Sequence, residues 1–374
     1  MTAAAADGFP TRETQGDLGN PKGDLANPKG DLANPKGDLA NPKGDLRALA
    51  GRRIFVAGHR GMVGSALMRR LAREDCTILT ADRTELDLTR QADVETWMLG
   101  ARPDIVLVAA ARVGGIVANA TFPAEFLYDN LMIGANIISA ARRAGVAKLL
   151  YLGSSCIYPK LAAQPIDESA LLTGALEPTN EAYAIAKIAG LKLAEAYARE
   201  HGCRFITAMP TNLYGPNDNF DLTRSHVIPA LMRKIHEAEE AGRSVVEIWG
   251  SGAPRREFLH VDDLADACIF LLKAYEAPEP INVGSGEEVT IRQLAETIAE
   301  VIGYEGSFAF DASKPDGAPR KLLDTTRLRR LGWTPRIGLR AGLADAYSHW
   351  RAGADSLAFS LPSQSAGREH ATLR

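Results

Sequence analysis

A tyrosine and a lysine four residues apart, Tyr183 and Lys187, follow a short stretch that supplies hydroxyl and thiol groups, Ser154, Ser155 and Cys156. On a helix, this i, i+4 spacing places the two side chains on one face. The charge of Lys187 would there favour the phenolate and let Tyr183 exchange a proton near neutral pH. The pattern predicts acid–base chemistry at a carbonyl group. The alternative is a solvated helix, because this spacing alone is a weak signal.

A glycine-rich turn lies upstream of these residues, between a predicted strand and a predicted helix. The apolar run Arg53–Ala57 predicts a buried strand, and a helical pattern begins at Ser65. The turn between them consists of Gly58, His59, Arg60, Gly61, Met62, Val63 and Gly64. Glycines allow a tight turn and a close approach of the backbone to phosphate, and the helix N-terminus offers free N–H groups to a pyrophosphate. This context predicts a dinucleotide site rather than a turn without function.

The remainder of the first half alternates strands with helices. Further strands are predicted at residues 77–79, 104–110, 149–152 and 205–208. A long helix opens at Thr121, carries Pro123 in its first turn and closes near Gly145, and the helix with the tyrosine–lysine pair starts at Pro178. This alternation predicts an α/β fold, a Rossmann-type doubly wound parallel sheet with ligands at the carboxyl ends of its strands. Beyond Gly215 the pattern becomes irregular, which predicts a smaller C-terminal α/β substrate lobe.

The two ends of the chain differ from this middle. A seven-residue unit, Gly-Asp-Leu-Ala-Asn-Pro-Lys, recurs from Gly16 to Lys43. Each copy holds a proline, a glycine and one large apolar residue, so neither a helix nor a coiled-coil seam can form. The extension is either a tether or a tandem duplication without a folded role. The predicted divisions are a flexible extension (1–47), a dinucleotide domain with returning C-terminal segments (48–215), a substrate lobe (216–350) and a loose tail (351–374).

Composition excludes several classes of function. A net charge of -3 over 374 residues provides no basic surface for nucleic acid or for an anionic membrane. No apolar run approaches the length of a membrane span, and the start lacks a secretory core. The cysteines are scattered without a CxxC pair, which argues against a disulfide framework and against a metal site, at Cys76, Cys156, Cys203 and Cys268. We therefore expect a cytoplasmic protein without a metal.

Several motifs together resemble those of the GDP-L-fucose synthase family, within the extended short-chain dehydrogenases/reductases. The resemblance covers about residues 51–350 and is carried by Gly58–Gly64, Arg112–Ile116, Gly153–Lys160, Glu177–Lys187, Met209–Pro216, Ser225–Pro229 and Arg256–Asp263. It implies conversion of GDP-4-dehydro-6-deoxy-D-mannose to GDP-L-fucose by 3,5-epimerisation and NADPH-dependent reduction of the 4-keto group. It also implies a homodimer joined by the helices near residues 121–144 and 179–201.

The resemblance assigns a role to each reactive side chain. Cys156 would be the base and His226 the acid of the epimerisations, which need proton transfer on two faces of the sugar ring. A thiol near Lys187 and the cofactor would have a lowered pKa. Tyr183 would protonate the C4 oxygen, with Lys187 supporting it and Ser154, alone or with Ser155, bonding the carbonyl. Taken singly, a cysteine is more often a buried apolar residue and a histidine more often structural.

The resemblance also assigns the two nucleotide sites. Arg60 and Arg83 resemble NADPH-selecting arginines, whereas Asp82 occupies a position suited to the ribose diol of NADH; surface charge is the alternative for both arginines. The implied NADP(H) site adds Leu86, Leu152, Gly153, Ser154, Ser155, Lys187, Pro210, Thr211, Asn212, Leu213 and His226 to the glycine turn. The implied GDP-sugar site consists of Lys234, Trp249, Arg256, Asp316 and Lys321. Lys234 replaces a common arginine and would make a point contact instead of a bidentate one.

Rival functions share parts of this pattern. A nucleotide-sugar 4-epimerase or 4,6-dehydratase would have the same fold and the same tyrosine–lysine pair. A dehydratase is expected to carry an Asp-Glu pair where Ser155 and Cys156 stand here. A redox-sensing or scaffold protein would bind NADPH without turnover and would usually lack Tyr183 or Lys187. These features favour the bifunctional enzyme.

Overall fold

The computed structural model describes residues 48–222, 224–314 and 316–359, so the predicted extension over 1–47 and the end of the predicted tail lie outside the described residues. The strands are β1 (Arg53–Ala57), β2 (Thr77–Leu79), β3 (Ile105–Val108), β4 (Lys148–Leu152), β5 (Phe205–Pro210), β6 (Asn212–Tyr214), β7 (Val245–Trp249), β8 (Arg255–His260), β9 (Ile281–Val283), β10 (Glu288–Thr290), β11 (Ser307–Asp311) and β12 (Arg320–Lys321). The α-helices are α1 (Met62–Leu71), α2 (Gln91–Ala101), α3 (Ile116–Thr121), α4 (Pro123–Arg143), α5 (Glu181–His201), α6 (Val227–Glu240), α7 (Val261–Ala274), α8 (Ile291–Ile302), α9 (Thr326–Arg330) and α10 (Leu339–Phe359).

Six parallel strands form the central sheet, in the order β2-β1-β3-β4-β5-β9. The chain moves outward from β1 to β2 and then crosses to the other side of β1 to form β3, in register from Ile54 opposite Ile105 to Ala57 opposite Val108. The reversal opens a crevice at the carboxyl ends of β1 and β3, where doubly wound sheets bind their ligands. The predicted α/β class and parallel sheet are confirmed.

Helices cover both faces of this sheet, which explains why its strands are apolar without alternation. Ile54 and Val56 of β1 belong to a core shared with α1 and α7. Phe55 and Ala57, which point the other way, join a second core with α2, α4 and α5. The strand is therefore buried on both sides, and the carboxyl ends of the strands are fixed relative to one another.

The start of the long helix differs from its prediction. Thr121 is the last residue of α3 and does not open the long helix. Its hydroxyl donates to the carbonyl of Val117 at 2.7 Å, so it is not available as a cap. The backbone then turns at Phe122, which has φ -125° and ψ 50°, and α4 begins at Pro123. Proline suits this first position because its missing N–H would be unpaired there in any case. A single 3-10 turn, Pro178–Asn180, precedes α5.

The second lobe is built around β8. This strand pairs with β6 and β12 in parallel and with β10 antiparallel, and β7 pairs separately with β11. Residues of α6, α8 and α10 pack into the core of this lobe, which includes Met232, Leu294 and Leu343. Two segments, β9 and α7, return to the first domain. Helix α10 continues to Phe359, past the boundary predicted at residue 350. Within the described part of the chain, no helix is both long and apolar enough to cross a membrane.

Candidate active site

The glycine turn between β1 and α1 fits a pyrophosphate. Gly58 has φ +84°, and a Cβ there would lie 2.7 Å from the Cα of Ala110. A Cβ on Gly64 would lie 2.0 Å from the carbonyl oxygen of Gly58. Gly61 precedes α1 without a side-chain cap, so the first N–H groups of the helix, from Met62 on, are open to an anion. Side chains at Gly58 and Gly64 would fill the space inside the turn, and the glycines leave that space open for a ligand.

Asp82 meets His59 and Arg60 at the outer end of the turn. Asp82, just beyond β2, is bonded through one carboxylate oxygen to Arg60 Nη2 at 2.6 Å, and its other oxygen lies 3.3 Å from His59 Nε2. Arg83 is exposed beside them, and Leu86 is buried in the core. The carboxylate and the arginine that favour different cofactors are therefore paired with each other.

Lys187 is buried beneath the end of β4. Its ammonium donates to the carbonyl of Leu152 at 2.9 Å and lies 5.8 Å from the ring centroid of Tyr183. Burial lowers the pKa of Lys187 to about 8. Burial also raises the pKa of Tyr183 above its usual value, and the neighbouring Cys156 adds to this, while a hydrogen bond with Ser154 opposes it. A raised pKa favours the protonated phenol, which can donate a proton, and the predicted help of Lys187 toward the phenolate stays a prediction.

Cys156 lies in the 3-10 turn that follows β4. Ser154 caps this turn by accepting a hydrogen bond from the Cys156 backbone N–H at 3.2 Å, and Ser155 is buried at its start. Lys321 Nζ donates to the Cys156 sulfur at 3.5 Å. Burial alone would raise the pKa of the thiol, but the charge of Lys321 and the bonds with Ser154 and Lys321 outweigh burial and lower it. The lowered pKa agrees with the prediction, whereas its source is Lys321 and not Lys187.

His226 stands at the N-terminal boundary of α6, on another segment. The preceding segment is tied to the loop after β3, because the backbone N–H of Gly115 donates to the carbonyl of Arg224 at 2.9 Å. Since β3 and β4 end at the same edge of the sheet, His226 is on the side of the molecule that carries Cys156. The ring reaches solvent, but the surrounding protein atoms lower the pKa of its imidazole. Its imidazolium is therefore a stronger acid than that of an ordinary histidine.

A buried carboxylate, Glu257, ties the cofactor segment to the second lobe. The segment predicted to meet the cofactor comprises Pro210, Thr211, Asn212 and Leu213. The side-chain amide of Asn212 donates to the main-chain carbonyl of Glu257 at 2.8 Å, as does the hydroxyl of Thr211 at 3.2 Å. The Glu257 carboxylate accepts from the backbone N–H groups of Gly286 at 2.7 Å and Leu323 at 3.0 Å. Sequence reasoning missed this residue, because burial of a glutamate is not visible in a motif.

The predicted substrate residues fall into two groups on the second lobe. Lys321 and Arg256 are directly paired neighbours on β12 and β8, and Lys321 reaches the Cys156 sulfur. Asp316 lies nearby, and its carboxylate accepts from the backbone N–H and the hydroxyl of Ser251, each at 2.7 Å. Two adjacent cations match the charge of a diphosphate.

The second group surrounds an exposed tryptophan. Trp249 is 55% exposed at the end of β7, so it is not a core residue. Lys234 Nζ lies 5.3 Å and Lys314 Nζ 5.5 Å from its ring centroid. Lys314 was missed by sequence reasoning, since it stands in the β11–β12 loop without a motif of its own. The ring and its cations form a surface suited to a base and a phosphate.

A doubly wound sheet with a dinucleotide cradle and a buried tyrosine–lysine pair defines a class of nicotinamide-dependent epimerases, dehydratases and reductases. A family model described as the NAD dependent epimerase/dehydratase family matches residues 54–284. The chain belongs to this family and, within it, to the GDP-L-fucose synthases. A GDP-L-fucose synthase of Sinorhizobium fredii is 59% identical over 80% of this chain and 95% of its own length. GDP-L-fucose synthase 1 of Arabidopsis thaliana is 60% identical over 79% and 92%.

A solved structure agrees with this placement. A GDP-L-fucose synthetase from Naegleria fowleri bound to NADP has a TM-score of 0.76 and 30% identity, and the match covers 82% of this chain and 94% of that one. The agreement spans both the sheet and the second lobe.

Proposed function

We propose that this protein converts GDP-4-dehydro-6-deoxy-D-mannose to GDP-L-fucose by 3,5-epimerisation followed by NADPH-dependent reduction of the 4-keto group. The observation that carries the proposal is the Cys156 thiol, whose sulfur accepts from Lys321 Nζ at 3.5 Å, a contact that lowers its pKa, and whose proximity raises the pKa of the Tyr183 phenol. A reductase needs Tyr183 and Lys187 but has no use for a thiol base. A base beside the reducing residues serves an enzyme that epimerises before it reduces.

In the epimerisations, the Cys156 thiolate removes a proton from the carbon next to the 4-keto group. The electron pair of that C–H bond moves onto the C4 oxygen, and hydrogen bonds from Ser154 and Tyr183 stabilise the resulting enolate. The imidazolium of His226 returns a proton to the same carbon from the opposite face, which inverts it. Cys156 and His226 then exchange protons with solvent, and the sequence repeats at the second carbon.

In the reduction, Tyr183 donates its proton to the C4 oxygen as the carbonyl becomes an alcohol. The glycine turn would hold a reduced nicotinamide dinucleotide, which would supply the hydride to C4. The phenol of Tyr183 is held protonated by burial, as this step requires. Lys187, anchored on the carbonyl of Leu152, places a positive charge 5.8 Å from the Tyr183 ring and stabilises the phenolate that remains.

Two sets of cations support the choice of nucleotides. Arg60 lies in the glycine turn and the exposed Arg83 follows Asp82 in the sequence, and both would favour the 2′-phosphate of NADPH. Arg256 and Lys321 are positioned for the diphosphate of the GDP-sugar, and Trp249 offers an aromatic face to its base. Each nucleotide thus has its own pair of cations.

The test separates the two half-reactions in deuterated water. Cys156→Ser should stop deuterium from entering C3 and C5 of the sugar, with a loss of about 10²–10⁴-fold in rate. Tyr183→Phe should retain much of that exchange and lose NADPH oxidation by a similar factor. Mass spectrometry of the sugar and absorbance of NADPH measure the two steps. Cys203→Ser, in which a thiol of raised pKa is removed, is the matched control and should change neither.

The outcomes distinguish the proposal from its rivals. NADPH oxidation matched to GDP-L-fucose formation supports a synthase. Binding of NADPH without turnover would favour a sensor. If Cys156→Ser exchanged deuterium as fast as the wild type, the assigned base would be wrong.

We also infer a homodimer joined through α4 and α5, in the cytoplasm. These helices pack against each other, and their outer surfaces carry exposed apolar side chains, Tyr128 (59%), Leu131 (37%) and Ile185 (45%). An exposed apolar patch of this kind is commonly an interface. Light scattering should give a dimer for the wild type and a monomer for Leu131→Glu, and an unchanged mass for the variant would contradict the interface.

A further inference from the structure

We propose that Asp82 sets the balance between NADH and NADPH in this protein and makes it accept both. The carboxylate would bind the free ribose diol of NADH, and it would compete with the 2′-phosphate of NADPH for Arg60. This inference rests on the proposed function, because it concerns the cofactor of that reaction. It departs from a strict preference for NADPH.

Asp82 lies where a ribose diol of the cofactor would bind. Asp82 follows β2, which pairs in parallel with β1, so its carboxylate lies at the edge of the sheet where the glycine turn begins. A carboxylate beyond the second strand is where dinucleotide folds bind a ribose diol. Asp82 is joined to the turn itself through Arg60 at 2.6 Å and His59 at 3.3 Å. It is therefore part of the cofactor cradle and not a remote surface charge.

The charges of Asp82 and Arg60 act in opposite directions on the 2′-phosphate of NADPH. The 2′-phosphate of NADPH would meet the negative charge of Asp82, and the same phosphate would attract Arg60 away from it. The Arg60 side chain is 75% exposed, so it can move without disturbing the core. NADPH gains Arg60 only by breaking the Arg60–Asp82 pair, whereas NADH gains hydrogen bonds to the carboxylate while that pair persists. These effects oppose each other, and the discrimination between the cofactors is small.

The experiment measures binding directly on the full-length chain. Nicotinamide fluorescence gives the Kd of NADH and of NADPH, and calorimetry gives that of two fragments, 5′-AMP and 2′,5′-ADP, which differ only at the 2′ position. The wild type should bind NADH and NADPH within about tenfold of each other. Asp82→Asn should tighten NADPH and 2′,5′-ADP about tenfold and weaken NADH by a similar factor, because each change alters a hydrogen bond to a charged group.

Two further variants keep the result interpretable. Arg60→Ala should weaken NADPH and 2′,5′-ADP by about tenfold or more and leave NADH nearly unchanged. Asp93→Asn is the control: it removes an exposed acid of α2 that pairs with Arg90 at 3.0 Å, and it should change neither Kd. Melting temperatures establish that each variant is folded.

The possible failures are distinguishable. If Asp82→Asn and Arg60→Ala both leave the NADH-to-NADPH ratio of the wild type unchanged, Asp82 does not set the balance, while the proposed reaction stands. A wild type that prefers NADPH by more than about a thousandfold would also overturn this inference alone. If the folded wild type binds neither cofactor, the proposed function fails together with the inference.

Discussion

The two halves of the active site hold their functional groups in different ways. In the dinucleotide half, the backbone fixes the site: the glycine turn closes on itself between Gly58 and Gly64, and Lys187 is anchored on a carbonyl. In the substrate lobe, long side chains from a helix and a loop form the site, as with Lys234 of α6 and Lys314 of the β11–β12 loop around Trp249. Small changes should therefore abolish function in the first half and weaken it by degrees in the second.

Among the variants that test this contrast, Gly64→Ala is expected to have the largest effect. The added Cβ would lie 2.0 Å from the Gly58 carbonyl oxygen, so the backbone of the turn must move. We expect a loss of about 1–3 kcal/mol in the free energy of unfolding and loss of NADPH binding at concentrations that saturate the wild type. Urea unfolding and nicotinamide fluorescence measure both. Gly61→Ala is the control, because its Cβ would lie 3.5 Å from the same oxygen, at an ordinary φ of -72°. Equal NADPH affinity in the two variants would contradict a backbone-fixed site.

Two glutamates of the second lobe, Glu257 on β8 and Glu288 on β10, test whether bonds to the backbone stabilise the protein more than bonds between side chains. Glu257 is buried and accepts from the backbone N–H groups of Gly286 and Leu323, whereas Glu288 pairs with the half-exposed Arg255 and Arg320. Glu257→Gln should cost about 2–4 kcal/mol of unfolding free energy, because its amide group must face a buried N–H. Glu288→Gln should cost about 1 kcal/mol or less. Urea unfolding of both variants decides, and equal losses would show that the backbone bonds of Glu257 carry no special weight.

Cys156 of the dinucleotide half contacts Lys321 of the substrate lobe, so the ionisation of its thiol should depend on that lobe. Burial raises the pKa of Cys156, and the charge of Lys321 is the largest of the effects that lower it. In Lys321→Met the pKa should therefore rise, so that at a given neutral pH less thiolate is present. The rate of Cys156 alkylation by iodoacetamide, followed by peptide mass spectrometry, should rise at a more alkaline pH than in the wild type. Lys234→Met, whose ammonium lies against Trp249, should leave the profile in place. If Lys321→Met also left it in place, the source of the shift would be elsewhere.

The sheet could be predicted from sequence where runs of apolar residues are long enough to be distinctive. Arg53–Ala57 was predicted with its observed bounds because four consecutive apolar residues follow Arg53, as suits a strand that is buried on both faces. Ile281–Val283 has three residues, and neither its length nor its spacing indicates that it completes the sheet as β9. Thr121 was misplaced because a threonine before a proline resembles a cap, and only the structure shows its hydroxyl bonded inside the preceding turn.

Motifs located the reactive groups but not their electrostatics. The spacing of Tyr183 and Lys187 predicts a shared face, but the burial that raises the pKa of Tyr183 has no signature in four residues. The partner of Cys156 was missed for a different reason. Lys321 is 165 residues away and reaches the thiol only because β12 pairs with β8. Such long-range pairing is the part of the site that local patterns do not contain.

The smallest effect is expected from Lys314, which has no motif and lies over the exposed ring of Trp249. Its ammonium is 5.5 Å from the ring centroid, a distance at which an exposed cation and an aromatic ring attract by about 0.5–1 kcal/mol. Lys314→Met should therefore weaken GDP binding only about two- to fivefold, through a less ordered ring and one cation fewer near the nucleotide. Calorimetric titration with GDP measures the change. Lys273→Met, which breaks an ion pair with Glu74 in the other half, is the control and should bind GDP as the wild type does. A loss of a hundredfold in Lys314→Met would mean that the lobe, too, depends on single contacts, and the contrast between the two halves would not hold.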